Sequence, residues 1–469
     1  MALRFIDFEE KRLTGCAWRQ SNLRNNMMRL SRALGAAAIV CVLFASASFG
    51  QNMQDDSNKI ADLIKQFDNQ SFNDNPRVPD ETAAQIRLNL CPEPDDATGF
   101  WQSYANFGPF IGDITGTMQA FARVRSKPPA HDGPLLKSVL DDYQAIDAVS
   151  YVAERAAKHQ FVMLGEEHMD PQSRSLLVPM LRVLHSLGYR YFAAETFNGS
   201  LDSTIKAGHT VMETGFYTRD PVFAEAVNEA IKLGYTLVSY ESTDEPEEIK
   251  KAGEPKRSNF REMRQAKNLQ ERILNKDPNA KVLVWAGRGH VYLDLLESQR
   301  VQNQDEVWQP MAYLFSKLTG QQPLSLILCQ QLETQNPDKE TMEYKYAAAR
   351  GWLKHPTVFV KHDSPYNERG AAHVFFPRQK FSNGRVDWLA TEIGRVEYPI
   401  PQKVLFQKGI QLVRAYVEGQ SKQSVPVDCV LIHENEPAPP MMLPRHGKFV
   451  LRATDSQGRT NGDAVVETN

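Results

Sequence analysis

Gln160-Phe-Val-Met-Leu-Gly-Glu-Glu-His-Met-Asp-Pro171 is the stretch on which the fold turns. Its apolar run, Phe161 to Leu164, is halted by Gly165 and followed by Glu166, Glu167 and His168. A buried strand that ends in Gly and releases carboxylates and an imidazole into a loop sets titratable groups at a sheet rim. Open α/β sheets bind ligands at that rim, beyond the carboxyl ends of the strands. Asp170 is placed to cap a following helix, with Pro171 at its first position. Leu176, Leu177, Met180, Leu181, Leu184 and Leu187 give that helix an apolar face. Pro179, inside it, is expected to kink or split it.

The same pattern recurs downstream. A strand over 189–194 ends at Glu195, 29 residues after Glu166, the length of one βαβ unit. A right-handed crossover puts the carboxyl ends of parallel strands on one side, so Glu195 is expected near Glu166 and His168. A helix over 221–233 leads into a strand over 235–240 that ends at Glu241. A helix over 260–275 leads into an apolar strand over 281–286 that ends in Gly287-Arg-Gly-His290. A fifth strand is expected over 323–329, and apolar residues at 3.6-type spacing predict a helix over 135–158. The fold class expected is α/β: an open, mostly parallel sheet with flanking helices over 135–330. A connecting region, 331–399, carries short strands near 357–361 and 373–376. Residues 400–469 read as a small β-sandwich-like region, with strands near 412–417, 425–432 and 448–453 between Gly- and Pro-rich turns.

The amino-terminal 134 residues read differently. Arg29 and Arg32 precede an uncharged run from Ala33 to Phe49 with small residues at its end, the pattern of a cleavable signal peptide over 27–50. That implies a secreted or periplasmic protein with no integral membrane segment after cleavage. Residues 1–26 form a polar leader, and 51–134 are a polar, partly helical segment and linker. The whole chain has a net charge of −3, and residues 1–50 carry seven Lys/Arg against three Asp/Glu. The remainder is therefore near −7, which argues against nucleic acid as a partner. Cys91, Cys329 and Cys429, the three cysteines beyond the signal segment, are too few and too uneven for a disulfide framework.

Glu166, His168, Glu195 and His290 are the candidate catalytic residues, each from a strand end. Two imidazoles and two carboxylates permit three chemistries. An imidazole oriented by a carboxylate can take a proton from water. The four side chains can hold a divalent ion such as Zn, Mn or Co. Either His can be an axial ligand of haem iron. Arg174, Arg288 and Glu241 are candidate substrate-binding residues, the two arginines as clamps for a carboxylate or phosphate. Gly165, Gly287 and Gly289 allow close backbone approach and leave amides for an oxyanion. Glu167 is expected to point away from Glu166. The partner is then a small-molecule or peptide substrate, or haem. There is no Gly-x-Ser-x-Gly elbow, phosphate-binding Gly-Lys-Ser/Thr loop or Cys-x-x-Cys pair.

These motifs resemble one superfamily. Leu164-Gly-Glu-Glu-His168, Glu195 at its strand end, Arg261-Glu-Met263 with Ala266-Lys-Asn268, and Val284-Trp-Ala-Gly-Arg-Gly-His-Val291 are similar to the ChaN-like haem-uptake proteins, the erythromycin esterases and the Tiki-type metalloproteases. The resemblance covers about residues 135–330. Arg288 stands where the ChaN-like motif usually has Asn, and one residue rather than two separates Glu166 from His168. The esterase branch implies Glu and His that activate water on an ester. The Tiki branch implies a metal hydrolase, and the ChaN branch a non-catalytic haem- or iron-binding envelope protein.

Overall fold

A computed structural model describes residues 104–124, 140–300, 302–303, 306–328, 340–421, 423–455 and 458–469. The leader, the signal segment, residues 51–103, Cys91 and Cys329 lie outside the described residues. The chain is a mixed α/β protein with one large, mostly parallel sheet flanked by helices and smaller antiparallel sheets toward the carboxyl terminus.

The large sheet contains β1 (Gln144–Asp147), β2 (Phe161–Glu166), β3 (Tyr191–Ala194), β4 (Thr236–Ser239), β5 (Val282–Gly287), β6 (Leu324–Ile327), β7 (Thr357–Lys361) and β8 (Ala371–Phe375). Their order is β1-β7-β8-β6-β2-β5-β3-β4. Pairing is parallel from β8 through β4, and antiparallel where β7 meets β1 and β8. The central strands β2 and β5 are buried along their whole length, so both read as unbroken apolar runs rather than alternating ones. Each fully buried Val or Leu there contributes about 1.5–3 kcal/mol of transfer free energy.

Three expectations are corrected. First, β5 lies between β2 and β3. The connection from β2 to β3 therefore skips a strand, and Glu195 stands beside β5 instead of β2. Local periodicity carries no information on strand order. Second, the helix expected over 135–158 is interrupted before Ala148, with residues 135–139 outside the described residues. Gln144–Asp147 is a strand paired with β7, and the Asp147 side chain caps the helix Ala148–Ala156. Third, the sheet runs past residue 330, because β7 and β8 join it. The helix that carries Pro179 changes type just before it. The segment begins as a 3₁₀ turn, Pro171–Leu176, capped by Asp170, and continues as α-helix Leu177–Ser186. Pro179 falls in the first turn of the α-helical part, where its missing N–H costs little.

The carboxyl-terminal strands form a four-stranded antiparallel sheet with Gln411–Val417 central, between Asp428–Ile432 and Gly447–Asp455, and Ala464–Thr468 outside. A two-stranded pair, Val396–Tyr398 with Met441–Leu443, packs on the same core. Cys429 is buried there as a free thiol. Among the described residues no helix is long and apolar enough to cross a membrane.

Register fixes the rim. Glu166 is level with Gly287 across β2–β5, and Gly165 with Ala286. Gly165 is required by close approach: a Cβ there would stand 2.6 Å from Val291 Cγ2 and 2.8 Å from the Arg288 Cα. The turn Arg288–Val291 thus lies directly on β2. Gly165→Ala is expected to lower stability by about 1–3 kcal/mol through overpacking. Thermal unfolding tests this, and an unchanged Tm contradicts the packing.

Candidate active site at the strand ends

Two clusters meet at the carboxyl ends of β2, β5, β3 and β4. The first is built on β2. Glu166 is buried, and its Oε1 accepts from His168 Nδ1 at 2.8 Å. Arg174 donates from Nε to Glu166 Oε2 at 2.8 Å, from Nη1 to Asp220 Oδ2 at 2.7 Å, and from Nη2 to the His168 carbonyl at 3.1 Å. Asp220 also caps the helix Pro221–Leu233 by accepting from the Val222 amide. The His168 ring stacks on Tyr217, centroids 4.1 Å apart and planes 9° apart.

Arg174 was expected to clamp a substrate anion. It does not: the side chain is fully buried and spent on Glu166, Asp220 and a backbone carbonyl. Its role is to hold Glu166, which in turn orients His168. Burial raises the Glu166 pKa, but the Arg174 charge and the His168 hydrogen bond outweigh it and bring it down to about 2. For Asp220 burial wins instead, and its pKa lies above the usual carboxylate range despite the same arginine. Arg174 makes two of its contacts to Glu166 and one to Asp220, so we assign most of its charge compensation to Glu166.

The second cluster surrounds Glu195. Its Oε2 accepts from the Gly287 amide at 2.7 Å, and its Oε1 from Arg261 Nη2 at 2.6 Å. The Gly287 amide is therefore engaged and is not the oxyanion donor expected from the sequence. His290 Nε2 is 3.3 Å from Glu195 Oε1, and His290 Nδ1 is 2.8 Å from Glu262 Oε2. Burial alone lowers the His290 pKa; Glu262 and Glu195 overcome it and raise it to about 10. His290 Nε2 also lies 3.3 Å from Arg261 Nη1. As an imidazolium it cannot accept from Arg261, so we assign its Nε2 proton to Glu195. The Glu195 carboxyl is buried, which raises its pKa, yet His290 and Arg261 hold it well below the usual range. Glu241 Oε1 accepts from Arg261 Nε at 3.0 Å, and its Oε2 accepts from Gln265 Nε2 at 3.0 Å and from Arg261 Nη2.

The two clusters converge at Gly287. A Cβ there would stand 2.9 Å from His168 Nε2 and 3.5 Å from Glu195 Oε2. The four strand-end residues expected from the sequence are thus brought together, Glu195 by way of β5. Arg288 sits at the rim with Nε 3.6 Å from Glu167, which is itself buried. Arg261, Glu262, Asp220 and Tyr217 were not among the expected site residues. A signal for Glu262 lay in the helix Lys256–Leu269, whose buried stripe includes Glu262, Gln265 and Asn268. Polar residues at core spacing mark a face aimed at a polar site.

Among the described residues no group of three or more His, Cys, Asp or Glu side chains could hold a metal ion. The Arg261 guanidinium bridges Glu195 and Glu241. His168 Nε2 faces Gly287.

No protein-family model and no curated protein matches the chain. Among solved structures, the type III effector HopBA1 is 13% identical over 51% of this chain and 97% of that chain, with a TM-score of 0.30. RRSP, a MARTX toxin effector domain from Vibrio vulnificus, is 12% identical over 43% of this chain and 40% of its own, with a TM-score of 0.25. Structures of the carboxyl-terminal region of Pasteurella multocida toxin are 8% identical, covering 79% of this chain and 54% of that one, with a TM-score of 0.29. Likenesses at this level say nothing of site or activity.

Two outcomes are expected. Arg174→Met leaves two buried carboxylates without their cation and costs about 3–5 kcal/mol; an unchanged Tm contradicts the assignment. His290 binds its proton more tightly folded than unfolded, so its contribution to stability is complete below about pH 6.5 and disappears as pH rises toward about 10. The wild-type Tm is expected to fall across that window and the His290→Gln Tm to fall less. Equal slopes contradict the raised pKa.

Proposed function

We propose that the protein is a hydrolase that activates water at the strand ends to cleave an ester or amide. The supporting observation is the convergence of His168 Nε2 and Glu195 Oε2 at Gly287, with His168 Nδ1 held by Glu166. Because Glu166 is ionised, the neutral His168 carries its proton on Nδ1 and offers Nε2 as a base. A water bridging Nε2 and Glu195 Oε2 loses a proton to the imidazole as its oxygen attacks the carbonyl carbon. The imidazolium is stabilised by Glu166 and by the Tyr217 ring stacked on it. It then gives the proton to the leaving oxygen or nitrogen as the C–O or C–N bond breaks. His290, kept protonated, and Arg261 supply positive charge beside Glu195 and hold its orientation. Neither serves as a base.

We read this as the esterase side of the resemblance described above, and the apolar segment at 33–49 as export out of the cytoplasm. No step is routed through a metal or haem. The test is a library of fluorogenic esters and amides with wild type and His168→Ala. Loss of the base is expected to lower kcat/KM on the best substrate by about 10²- to 10⁴-fold. Equal turnover by the variant contradicts the assignment. A Soret band on haem addition that is lost in His168→Ala, with no hydrolysis, replaces it with a ChaN-type binding role.

A further inference from the structure

Arg174 joins two elements, and one short segment outside the site grips both. The turn Pro171–Leu176 carries Arg174, and its partner Asp220 caps the helix Pro221–Leu233. Glu392 lies against the turn. Its Oε2 accepts from Ser175 Oγ, and its Oε1 is 3.5 Å from Gln172 Nε2. Gln172 Nε2 also donates to the Pro377 carbonyl at 3.2 Å. Arg395, three residues on, lies against the helix. Its Nε and Nη2 donate to Glu225 Oε2 at 3.0 and 2.6 Å, and Nη2 reaches the Pro221 carbonyl at 3.5 Å.

The segment is itself anchored. The Glu392 amide donates to the Trp388 carbonyl, and the Arg395 amide to the Leu389 carbonyl. Trp388 and Leu389 are buried with Val222 of the capped helix and Met442. Arg395 is buried, with Nη1 3.9 Å from Asp428, whose carboxylate also accepts from Arg385 Nη2 at 2.6 Å. Gln172 and Ser175, on either side of Arg174 in the chain, are buried as well. Removing Glu392 therefore leaves polar atoms without a partner where solvent does not reach, and the turn must move to satisfy them. Any such movement carries the guanidinium that holds Glu166 and the His168 carbonyl.

Burial pushes the half-buried Glu392 carboxyl up to about 7. In either protonation state it offers an acceptor to Gln172, and it meets the Ser175 hydroxyl as acceptor or as donor. An amide in its place does the same.

Resting on the hydrolase reading, we infer that Glu392 is a positioning residue for His168. It acts through the turn that carries Arg174, while Arg395 holds the facing helix cap. The carboxyl-terminal region thereby sets the geometry of the site without contributing a group to the reacting atoms. Groups two steps removed from the chemistry act in this way when they lock the residues that orient it.

Glu392→Ala, Glu392→Gln and Ser175→Ala are compared with wild type in the full-length protein. Histidine-selective ¹⁵N NMR, thermal unfolding and turnover of the best ester or amide are read for each. Glu392→Ala is expected to show a second neutral His168 population, protonated on Nε2, and a kcat about tenfold or more below wild type with KM little changed. Glu392→Gln is expected to restore the single Nδ1-protonated form and to bring kcat within about threefold of wild type. If Glu392→Ala does not fold, Ser175→Ala, which removes one hydroxyl, is expected to show the same second population. The inference is overturned if the His168 signals of the folded variant match wild type, whatever its Tm, or if Glu392→Gln is as perturbed as Glu392→Ala. A changed His168 tautomer in a protein that turns over no ester or amide leaves the positioning role standing and removes the hydrolase.

Discussion

The buried pairing of Arg174 with Glu166 and Asp220 is the constraint on which the site depends. A guanidinium with no exposed surface is stable only where hydrogen-bonded anions surround it. Here it ties the end of β2 to the cap of the helix Pro221–Leu233, and its third donor holds the His168 carbonyl. One side chain therefore fixes the carboxylate, the loop and the imidazole together. Tyr217, stacked on His168 and under the Arg174 cation at 5.4 Å, completes the wall.

Across β5 the chemistry is inverted. His168 Nδ1 is held by Glu166 and its Nε2 faces Gly287, while His290 has a carboxylate on each ring nitrogen. On the proposed reading the same residue type is a base in one cluster and a fixed cation in the other. This is the general way in which environments separate the roles of like groups. Glu195 joins the two, with one oxygen toward Arg261 and His290 and the other on the Gly287 amide.

Much of this was legible in the residues. The apolar runs ending in Gly, Glu or His placed β2, β5 and the strands before Glu195 and Glu241, because a buried parallel strand has a simple signature. The insertion of β5 between β2 and β3 was not legible, since crossover choice depends on how helices share the two sheet faces. Arg174 was misassigned for a related reason: an arginine in a first turn looks solvated until the cap of another helix is known to lie against it. Arg261 and Glu262 were visible as a motif, but only the folded helix shows that they turn inward. The strands at 357–361 and 371–375 were visible as strands; their place in the main sheet was not, because sequence-distant pairing leaves no local trace.

Two histidines in different surroundings meet at Gly287: His168 faces it from β2, and His290 follows it by three residues. Histidine-selective ¹⁵N NMR at pH 8 reads both directly. The expected spectrum has His290 protonated on both ring nitrogens and the neutral form of His168 protonated on Nδ1, with Nε2 bare. A neutral His290 at pH 8, or a neutral His168 with its proton on Nε2, contradicts it.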